Sequence, residues 1–186
     1  MKLQQQTFTI RPSQIKDAQA LMNIDALVWT ERTAPEPLCW PTREDFLLHC
    51  PPASQLVAEV DGVLCGYVGF RHPTNLAGNS HVYEIHIAVH PLYQREGVGT
   101  RLIRAAKQWA AQQGMRKLRL RVLSTNPGAV IFYRKCGFME EGRLMDEYRI
   151  DGEFADEIWM SFFLEGTERA EKPDWMADGP AFDILP

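Results

Sequence analysis

The fold of this 186-residue chain is decided by the stretch Ile87-Ala88-Val89-His90-Pro91-Leu92-Tyr93-Gln94-Arg95-Glu96-Gly97-Val98-Gly99-Thr100. An alternating strand from His81 to Val89 passes through a glycine-containing turn into a helix that reaches about Gln113. Gly97 and Gly99 have no Cβ, so a ligand can approach the backbone closely. The first amides of the helix are unpaired at its positive end, which suits a phosphate. A plain helix start fits the same pattern.

The segments on either side of this stretch follow the order β-α-α-β-β-β-α-β-α-β-β. Asp61-Gly62 and Asp151-Gly152 predict tight hairpin turns between apolar, β-rich runs. The order predicts an α/β chain with long antiparallel runs, not a repeated βαβ pattern. Residues 1–165 are expected to form a single domain, and the polar, proline-rich residues 166–186 a peripheral extension.

Composition excludes several classes of protein. Hydrophobic residues make up 45% and charged residues 24% of the chain, which is the balance of an ordinary globular protein rather than of a disordered one. The net charge of −4 argues against a nucleic-acid-binding role. No apolar run is long enough to span a membrane, and the polar start of the chain lacks a signal peptide, so a cytoplasmic location is expected. The four cysteines show no zinc-binding spacing, so no metal is expected.

A second informative block is Asn126-Pro127-Gly128-Ala129-Val130-Ile131-Phe132-Tyr133-Arg134-Lys135-Cys136-Gly137-Phe138. Asn126 before Pro127 is typical of a helix N-cap. Asn126, Ala129 and Tyr133 are spaced by three and four residues, so they share one face of that helix.

The two blocks together resemble the GNAT superfamily of acyl-CoA-dependent N-acyltransferases. The first matches the pattern Gln/Arg-x-x-Gly-x-Gly/Ala, and the second matches Asn-x-x-Ala-x-x-x-Tyr-x-x-x-Gly-Phe. The resemblance covers about residues 7–165 and is closest to the bacterial phosphinothricin-like and amino-acid N-acetyltransferases. It implies a mixed, mostly antiparallel central sheet with splayed central strands and about four flanking helices.

The resemblance also implies that acetyl-CoA binds in the cleft between the two splayed strands. The backbone of Ile87, Ala88 and Val89 would pair with the pantetheine arm. The pyrophosphate would lie against the turn and helix start, and the second block would contribute near the cofactor. The cofactor-binding residues expected in these two blocks are Gln94, Arg95, Glu96, Gly97, Val98, Gly99, Thr100, Asn126 and Ala129. Asn126 as an N-cap alone remains an alternative.

Two residues are expected to carry the chemistry. Tyr133 would protonate the departing thiolate, and Glu84, directly or through water, would take a proton from the attacking ammonium. A strand amide near Val89 would hold the oxyanion. The alternatives are a half-buried aromatic residue for Tyr133 and an ion-pair partner for Glu84. His86 lies on the same strand face as Glu84, and a solvated or core-edge position is expected for it rather than the role of a base.

The acceptor is expected to be the primary amine of a small molecule, such as an amino acid or an amine-bearing xenobiotic. Arg121, on one face of a strand with Arg119, is a candidate anchor for a substrate carboxylate, with an ion-paired position as the alternative. Trp40, in a proline-rich loop, is a second candidate substrate contact. A protein or peptide N-acetyltransferase and a non-catalytic acyl-CoA-binding sensor remain alternatives, and the resemblance leaves a homodimer open.

Overall fold

A computed structural model describes residues 7–31 and 33–164 of the chain. In these ranges one seven-stranded sheet has the order β1-β2-β3-β4-β5-β7-β6. The strands are β1 (Phe8–Pro12), β2 (Gln55–Val60), β3 (Val63–Arg71), β4 (Val82–Val89), β5 (Lys117–Leu123), β6 (Met139–Ile150) and β7 (Glu153–Phe163). The helices are α1 (Ala18–Val28), α2 (Arg43–His49), α3 (Val98–Gln112) and α4 (Pro127–Lys135).

The mixed α/β fold predicted from the sequence is confirmed, and so are the two tight turns. Asp61 and Gly62 have φ angles of 52° and 78°, and Asp151 and Gly152 have φ angles of 51° and 88°. Two successive left-handed residues match the twist of antiparallel strands, which is why this dipeptide closes β2–β3 and β6–β7.

The first helix begins later than predicted. Pro12-Ser13 and the apolar periodicity that follows predict a helix from Ser13, but a 3₁₀ turn at Ile15–Asp17 precedes α1. The Asp17 carboxylate accepts a hydrogen bond from the amide of Gln14 at 2.7 Å and pairs with Arg11. This local bonding fixes a turn at the point where the apolar periodicity predicted a regular helix.

The central strands β4 and β5 are parallel and separate after a short contact. Their pairing is limited to Val82 with Lys117, Tyr83 with Leu118 and Glu84 with Arg119. From Ile85 to Val89, β4 pairs only with β3 on its other side. The backbone edge of β4 that faces β5 is therefore without a strand partner over this length, and a cleft opens there.

The core lies on both faces of the sheet. Val98, Leu102 and Ala106 of α3 pack on one face, and Leu21 of α1 and Phe46 of α2 pack on the other. Lys107 lies opposite the apolar stripe of α3 in the sequence, together with Arg101 and Arg104, which predicts a solvent-facing side chain, but this side chain is half-buried. Its Nζ lies 3.4 Å from the ring centroid of Phe162, because the amphipathic stem of lysine packs on apolar surface while the ammonium contacts the ring.

The predicted extension at residues 166–186 lies outside the described residues. None of the helices in the described ranges is long and apolar enough to cross a membrane.

Candidate active site

A cavity of about 760 Å³ occupies the cleft between β4, β5, α3 and α4. It brings together the two sequence blocks, since residues of the turn before α3 and of α4 line its walls. We call this cavity the acyl groove. Of the residues predicted to bind a cofactor, those that line it are Ile87, Val89, Gln94, Arg95, Gly97, Gly99, Thr100, Asn126 and Ala129.

Three other predicted cofactor residues do not line the acyl groove. Ala88 is buried in the core on the α1 side of the sheet, and Val98 is buried under α3. Glu96 is exposed in the turn. These three residues can contribute only backbone groups or, for Glu96, a solvent-facing carboxylate.

The start of α3 presents unpaired amides to the acyl groove. Gly97 caps the helix with a φ of 85°, and no side chain bonds to the first turn. The first helical hydrogen bond runs from the amide of Arg101 to the carbonyl of Gly97 at 3.1 Å, so the amides of Val98, Gly99 and Thr100 have no partner within the helix. A phosphate group fits this positive end without a competing side-chain cap.

Close approach is possible at Gly99. A Cβ built there would lie 3.1 Å from the ring of Phe132 on α4, so any side chain would crowd the groove wall. Gln94 has a local structural contact, because its side-chain amide donates to the carbonyl of Val89 at 3.0 Å.

Asn126 both caps α4 and lines the acyl groove. Its Oδ1 accepts a hydrogen bond from the amide of Ala129 at 3.1 Å, as the N-cap interpretation predicted. Its side-chain NH₂ remains on the groove wall as a donor.

Tyr133 lies about two helical turns beyond Asn126 on α4 and is 7% exposed. Its ring packs against Phe132 and Phe138, with centroid distances of 5.1 and 5.7 Å. Burial first, and the nearby Cys136 second, raise the pKa of Tyr133. Its hydroxyl makes no hydrogen bond to a described residue, although the side chain lines the acyl groove. A protonated phenol therefore stands beside the groove.

A second, smaller cavity of about 270 Å³ adjoins the acyl groove at the mouth between β4 and β5. We call it the acceptor pocket. One side is apolar and includes Trp29, Pro35 and Leu38 from α1 and the loop that follows. The opposite side carries the charged side chains of Arg71, Glu84, Arg121 and Glu157 from the strands.

Glu84 stands at the last paired position of β4 and β5 and is surrounded by guanidinium groups. One of its oxygens accepts from Arg71 and from Arg121 at 3.1 Å, and the other accepts from Arg119 at 2.8 Å. Burial raises the pKa of Glu84, but the hydrogen bonds from Arg71 and Arg119 and the charge of Arg121 outweigh it and hold the pKa below its usual value. The geometry favours the ion-pair interpretation of Glu84 over that of a free base.

Arg121 links two carboxylates on the charged side of the acceptor pocket. Besides Glu84, its guanidinium contacts Glu157 of β7 at 3.3 Å, and the hydroxyl of Tyr148 donates to Glu157 at 3.1 Å. The Arg121 side chain is 38% exposed, which leaves donors towards the pocket. Three arginines surround two carboxylates, so the cluster carries one excess positive charge.

Sequence reasoning missed Arg71 and Glu157. Arg71 stands directly across from Glu84 in the β3–β4 pair, and Glu157 is two residues before the partner of Arg121 in the β5–β7 pair. Strand register brings these residues together, and no local motif marks it. The available sequence signal was the position of Arg71 at the end of an otherwise apolar strand.

Trp40, a predicted substrate contact, lies outside both cavities. Its indole nitrogen donates to the buried carboxylate of Asp25 at 2.7 Å, and its ring packs on Phe46. Tyr67 also donates to Asp25, and Trp29 donates to the Tyr67 hydroxyl at 3.0 Å. This network holds Trp29, rather than Trp40, at the mouth of the cavities.

Comparison with known proteins agrees with this geometry. The chain is 33% identical to the spermidine N(1)-acetyltransferase of Escherichia coli K12 over 64% of its own length and 63% of that protein's, so the match spans less than two thirds of this relative. It is 30% identical over 82% of its length to a Bacillus subtilis protein assigned as a ribosomal protein bS18-alanine N-acetyltransferase, of which it covers 94%.

Among solved structures, the phosphinothricin acetyltransferase of Sinorhizobium meliloti, crystallised with acetyl-CoA, superposes with a TM-score of 0.74. The match covers 96% of this chain and 98% of that one at 20% identity, which supports the fold. Residues 21–138, more than half of the chain, match the acetyltransferase (GNAT) family model. The chain therefore belongs to the GNAT acetyltransferase family.

Proposed function

We propose that this protein is an acetyl-CoA-dependent N-acetyltransferase whose acceptor is the primary amine of a small molecule that also carries a carboxylate, such as an amino acid. The observation that carries the proposal is the acceptor pocket, which is compact, adjoins the acyl groove and is lined by Arg71 and Arg121. A volume of about 270 Å³ suits a small molecule.

In this proposal the acyl groove holds acetyl-CoA, whose thioester carbonyl is the electrophile. The amides at the start of α3 bind its pyrophosphate, and the unpaired edge of β4 pairs with its pantetheine arm. An amide near Val89 holds the oxyanion as the amine attacks. Asn126 contributes its free NH₂ at the groove wall.

Tyr133 gives its proton to the departing sulfur in this proposal. A raised pKa keeps its phenol protonated at neutral pH, and its hydroxyl has no protein partner in the described ranges to compete for the proton. Both oxygens of Glu84 are engaged by arginines, so we assign it to orienting Arg121 rather than to direct proton removal. The amine attacks as its neutral form, and the proton that its nitrogen loses passes to water while Tyr133 regains a proton from water, so that one proton moves in net from nitrogen to sulfur. No metal is needed for these steps.

The charge of the pocket distinguishes acceptor classes. The pocket lining pairs Arg71 and Arg121 with Glu84 and Glu157, and Arg119, which bonds to Glu84 from outside the lining, gives the cluster one excess positive charge. This charge attracts a carboxylate and repels a polyamine, so we expect amino acids to be better acceptors than spermidine. This differs from what the name of the Escherichia coli relative states for that protein.

A second candidate is acetylation of a protein N-terminus. The Bacillus subtilis relative, assigned to the N-terminal alanine of a ribosomal protein, favours it. The acceptor pocket then receives the first residue of a peptide whose remainder lies outside.

One experiment separates these functions. Acetyl-CoA turnover is measured by released thiol against amino acids, their amides, polyamines and peptides with an N-terminal alanine. We expect amino acids to give the highest kcat/KM. A preference for the peptides would favour the second candidate, and acetyl-CoA binding without turnover on any amine would favour a non-catalytic sensor.

A further inference from the structure

We propose that His86 is a further catalytic residue, whose imidazole accepts a hydrogen bond from the acceptor amine and turns the amine lone pair towards the acyl group. The inference rests on the proposed function, because it requires an amine acceptor. It differs from the expectation drawn from the sequence, which was a solvated or core-edge histidine.

His86 stands where the two cavities meet. The described residues that line both the acyl groove and the acceptor pocket are Trp29, Thr33, Ile85, His86, Arg121 and Val122. An amine that reaches from the pocket to the acyl carbon has to pass these side chains.

Among the side chains at this junction, the others are poor acceptors for an amine. Ile85 and Val122 are apolar, and the Trp29 and Arg121 side chains only donate. The hydroxyl of Thr33 is occupied within its own turn, because it donates to the carbonyl of Val28 at 2.5 Å and accepts from the amide of Thr30. Only His86 offers a nitrogen lone pair.

The ring of His86 is held in a seat on the neighbouring strand. Gly69 of β3 is its direct partner in the register, and a Cβ built at Gly69 would lie 2.2 Å from Cε1 and 2.3 Å from Nε2 of the imidazole. The rings of Trp29 and Tyr67 flank it with centroid distances of 6.5 and 5.7 Å. The absence of a Cβ at Gly69 is therefore what lets the ring lie there.

The imidazole is available as an acceptor. Neither ring nitrogen has a hydrogen-bond partner among the described residues. Burial first, and the charge of Arg71 second, lower the pKa of His86 to about 4, while Glu84 opposes the shift. Arg121 is a further positive charge near the imidazole, and the phenol of Tyr67 is neutral. A neutral imidazole keeps one lone pair at physiological pH.

Glu84 lies two residues away on the same face of β4 but is a poorer acceptor for the amine. Its oxygens already accept from Arg71, Arg119 and Arg121, so binding the amine would cost Glu84 one of these charge-assisted hydrogen bonds. Of Glu84 and His86, His86 is therefore the residue with a free lone pair for the amine.

The first test compares His86→Phe with His86→Gln, after the amine screen has identified a substrate of the wild type. His86→Phe keeps a ring on Gly69 and removes the acceptor, so kcat/KM for the amine should fall about ten- to a hundredfold. His86→Gln restores an acceptor oxygen and should recover to within about fivefold of the wild type. Acetyl-CoA affinity by calorimetry should change less than about twofold in both variants, because the acyl groove remains.

A matched control is His72→Phe. His72 is exposed, stacks on Tyr83 and lies outside both cavities, so the same substitution there should leave kcat/KM unchanged. A purely structural His86 would instead show a lower melting temperature in His86→Phe, with Gln no better than Phe in turnover.

Gly69→Ala provides an independent test that leaves His86 in the chain. Its methyl group displaces the imidazole, so we expect a loss of kcat/KM similar to that of His86→Phe. In a His86→Ala background the same methyl group should have no further effect.

Folded His86→Phe and Gly69→Ala proteins with wild-type kcat/KM would overturn the role of His86 while leaving the proposed function intact. A wild-type protein that acetylates no amine would overturn the proposed function, and the role of His86 with it.

Discussion

At the scale of single residues, Tyr133 keeps its proton across the physiological pH range because burial raises its pKa. Tyr133→Phe removes only the hydroxyl and keeps the ring packed between Phe132 and Phe138. We expect kcat to fall about 10²–10⁴-fold, the usual scale for general acid–base catalysis. Stopped-flow or steady-state detection of released thiol measures it.

The control for Tyr133→Phe is measured on the same preparation. Its melting temperature and acetyl-CoA affinity should remain near those of the wild type, since the hydroxyl makes no hydrogen bond to a described residue. A kcat close to that of the wild type would assign protonation of the thiolate to solvent.

The carboxylate-anchor hypothesis for Arg121 predicts a difference between amino acids and their amides. Arg121→Met should raise KM for an amino acid about ten- to a hundredfold, the size of one lost charge-assisted hydrogen bond, and raise KM for the amide much less. Arg119→Met is the matched control, because Arg119 bonds to Glu84 but lines neither cavity. Equal changes for acid and amide in Arg121→Met would contradict the hypothesis.

Part of the candidate site could be predicted from the sequence, and part could not. Asn126 and Tyr133 could be placed on one wall from helical spacing alone, because helix geometry is local. The partners of Glu84 could not be found this way, since Arg71 and Arg121 meet it through strand register over separations of 13 and 37 residues. The missing Cβ at Gly69 has no local sequence signal for the same reason.

At the scale of elements, the start of α3 is predicted to carry the pyrophosphate. Gly99→Val would place a branched side chain against Phe132 and the groove, so we expect acetyl-CoA affinity to fall tenfold or more by calorimetry. Gly114→Val, just after the same helix, is the control for general effects on α3, because a Cβ there meets no other atom within 4 Å. Its positive φ makes the substitution strained, so its melting temperature is measured as well, and the folded protein should bind acetyl-CoA with unchanged affinity. Unchanged affinity in Gly99→Val would remove the assignment.

The contact between β4 and β5 is predicted to depend on the charge of Glu84. Its pKa is lower in the folded state than in the unfolded chain, so its stabilising effect is full above the unfolded pKa and is lost as the pH falls through the folded pKa. We expect Glu84→Gln to lower the free energy of unfolding by about 1–3 kcal/mol at pH 7, because three guanidiniums lose their charged acceptor.

The measurement for Glu84→Gln is urea unfolding at several pH values. The difference from the wild type should begin to narrow as the pH falls below about 4.3, the usual pKa of glutamate, and should be lost only as the pH passes the lower pKa of folded Glu84. A difference that stays constant from pH 7 to pH 3 would show that the side-chain shape, rather than its charge, holds the strands.

At the scale of the whole molecule, the sequence predicted the order of elements because turns and periodicities are written locally. Asp61-Gly62, Asp151-Gly152 and Gly137 each end a segment through a left-handed backbone. The separation of β4 from β5 could be predicted only from the family resemblance. In the structure the pairing ends at Glu84 and Arg119, whose side chains form an ion pair.

The domain boundary proposed at residue 165 can be tested by truncation. In the described structure β7 ends at Phe163, and Leu164 is buried at 6% exposure with its amide bonded to the carbonyl of Arg116 at 3.0 Å. Leu164, the last described residue, thus belongs to the core, and the sheet of the described ranges ends at Phe163. A chain that ends after Glu165 should keep its melting temperature within about 3 °C and its kcat/KM within about twofold.

A chain that ends after Met160 is the matched control for this truncation. It loses the last residues of β7, among them the fully buried Ser161 that bonds to Glu141 and the core residue Leu164, so its melting temperature should fall by about 8 °C or more. If the chain ending at Glu165 melts as low as this control, the proposed boundary is wrong. If it melts like the full chain but loses turnover, residues 166–186 contribute to the site rather than to the fold.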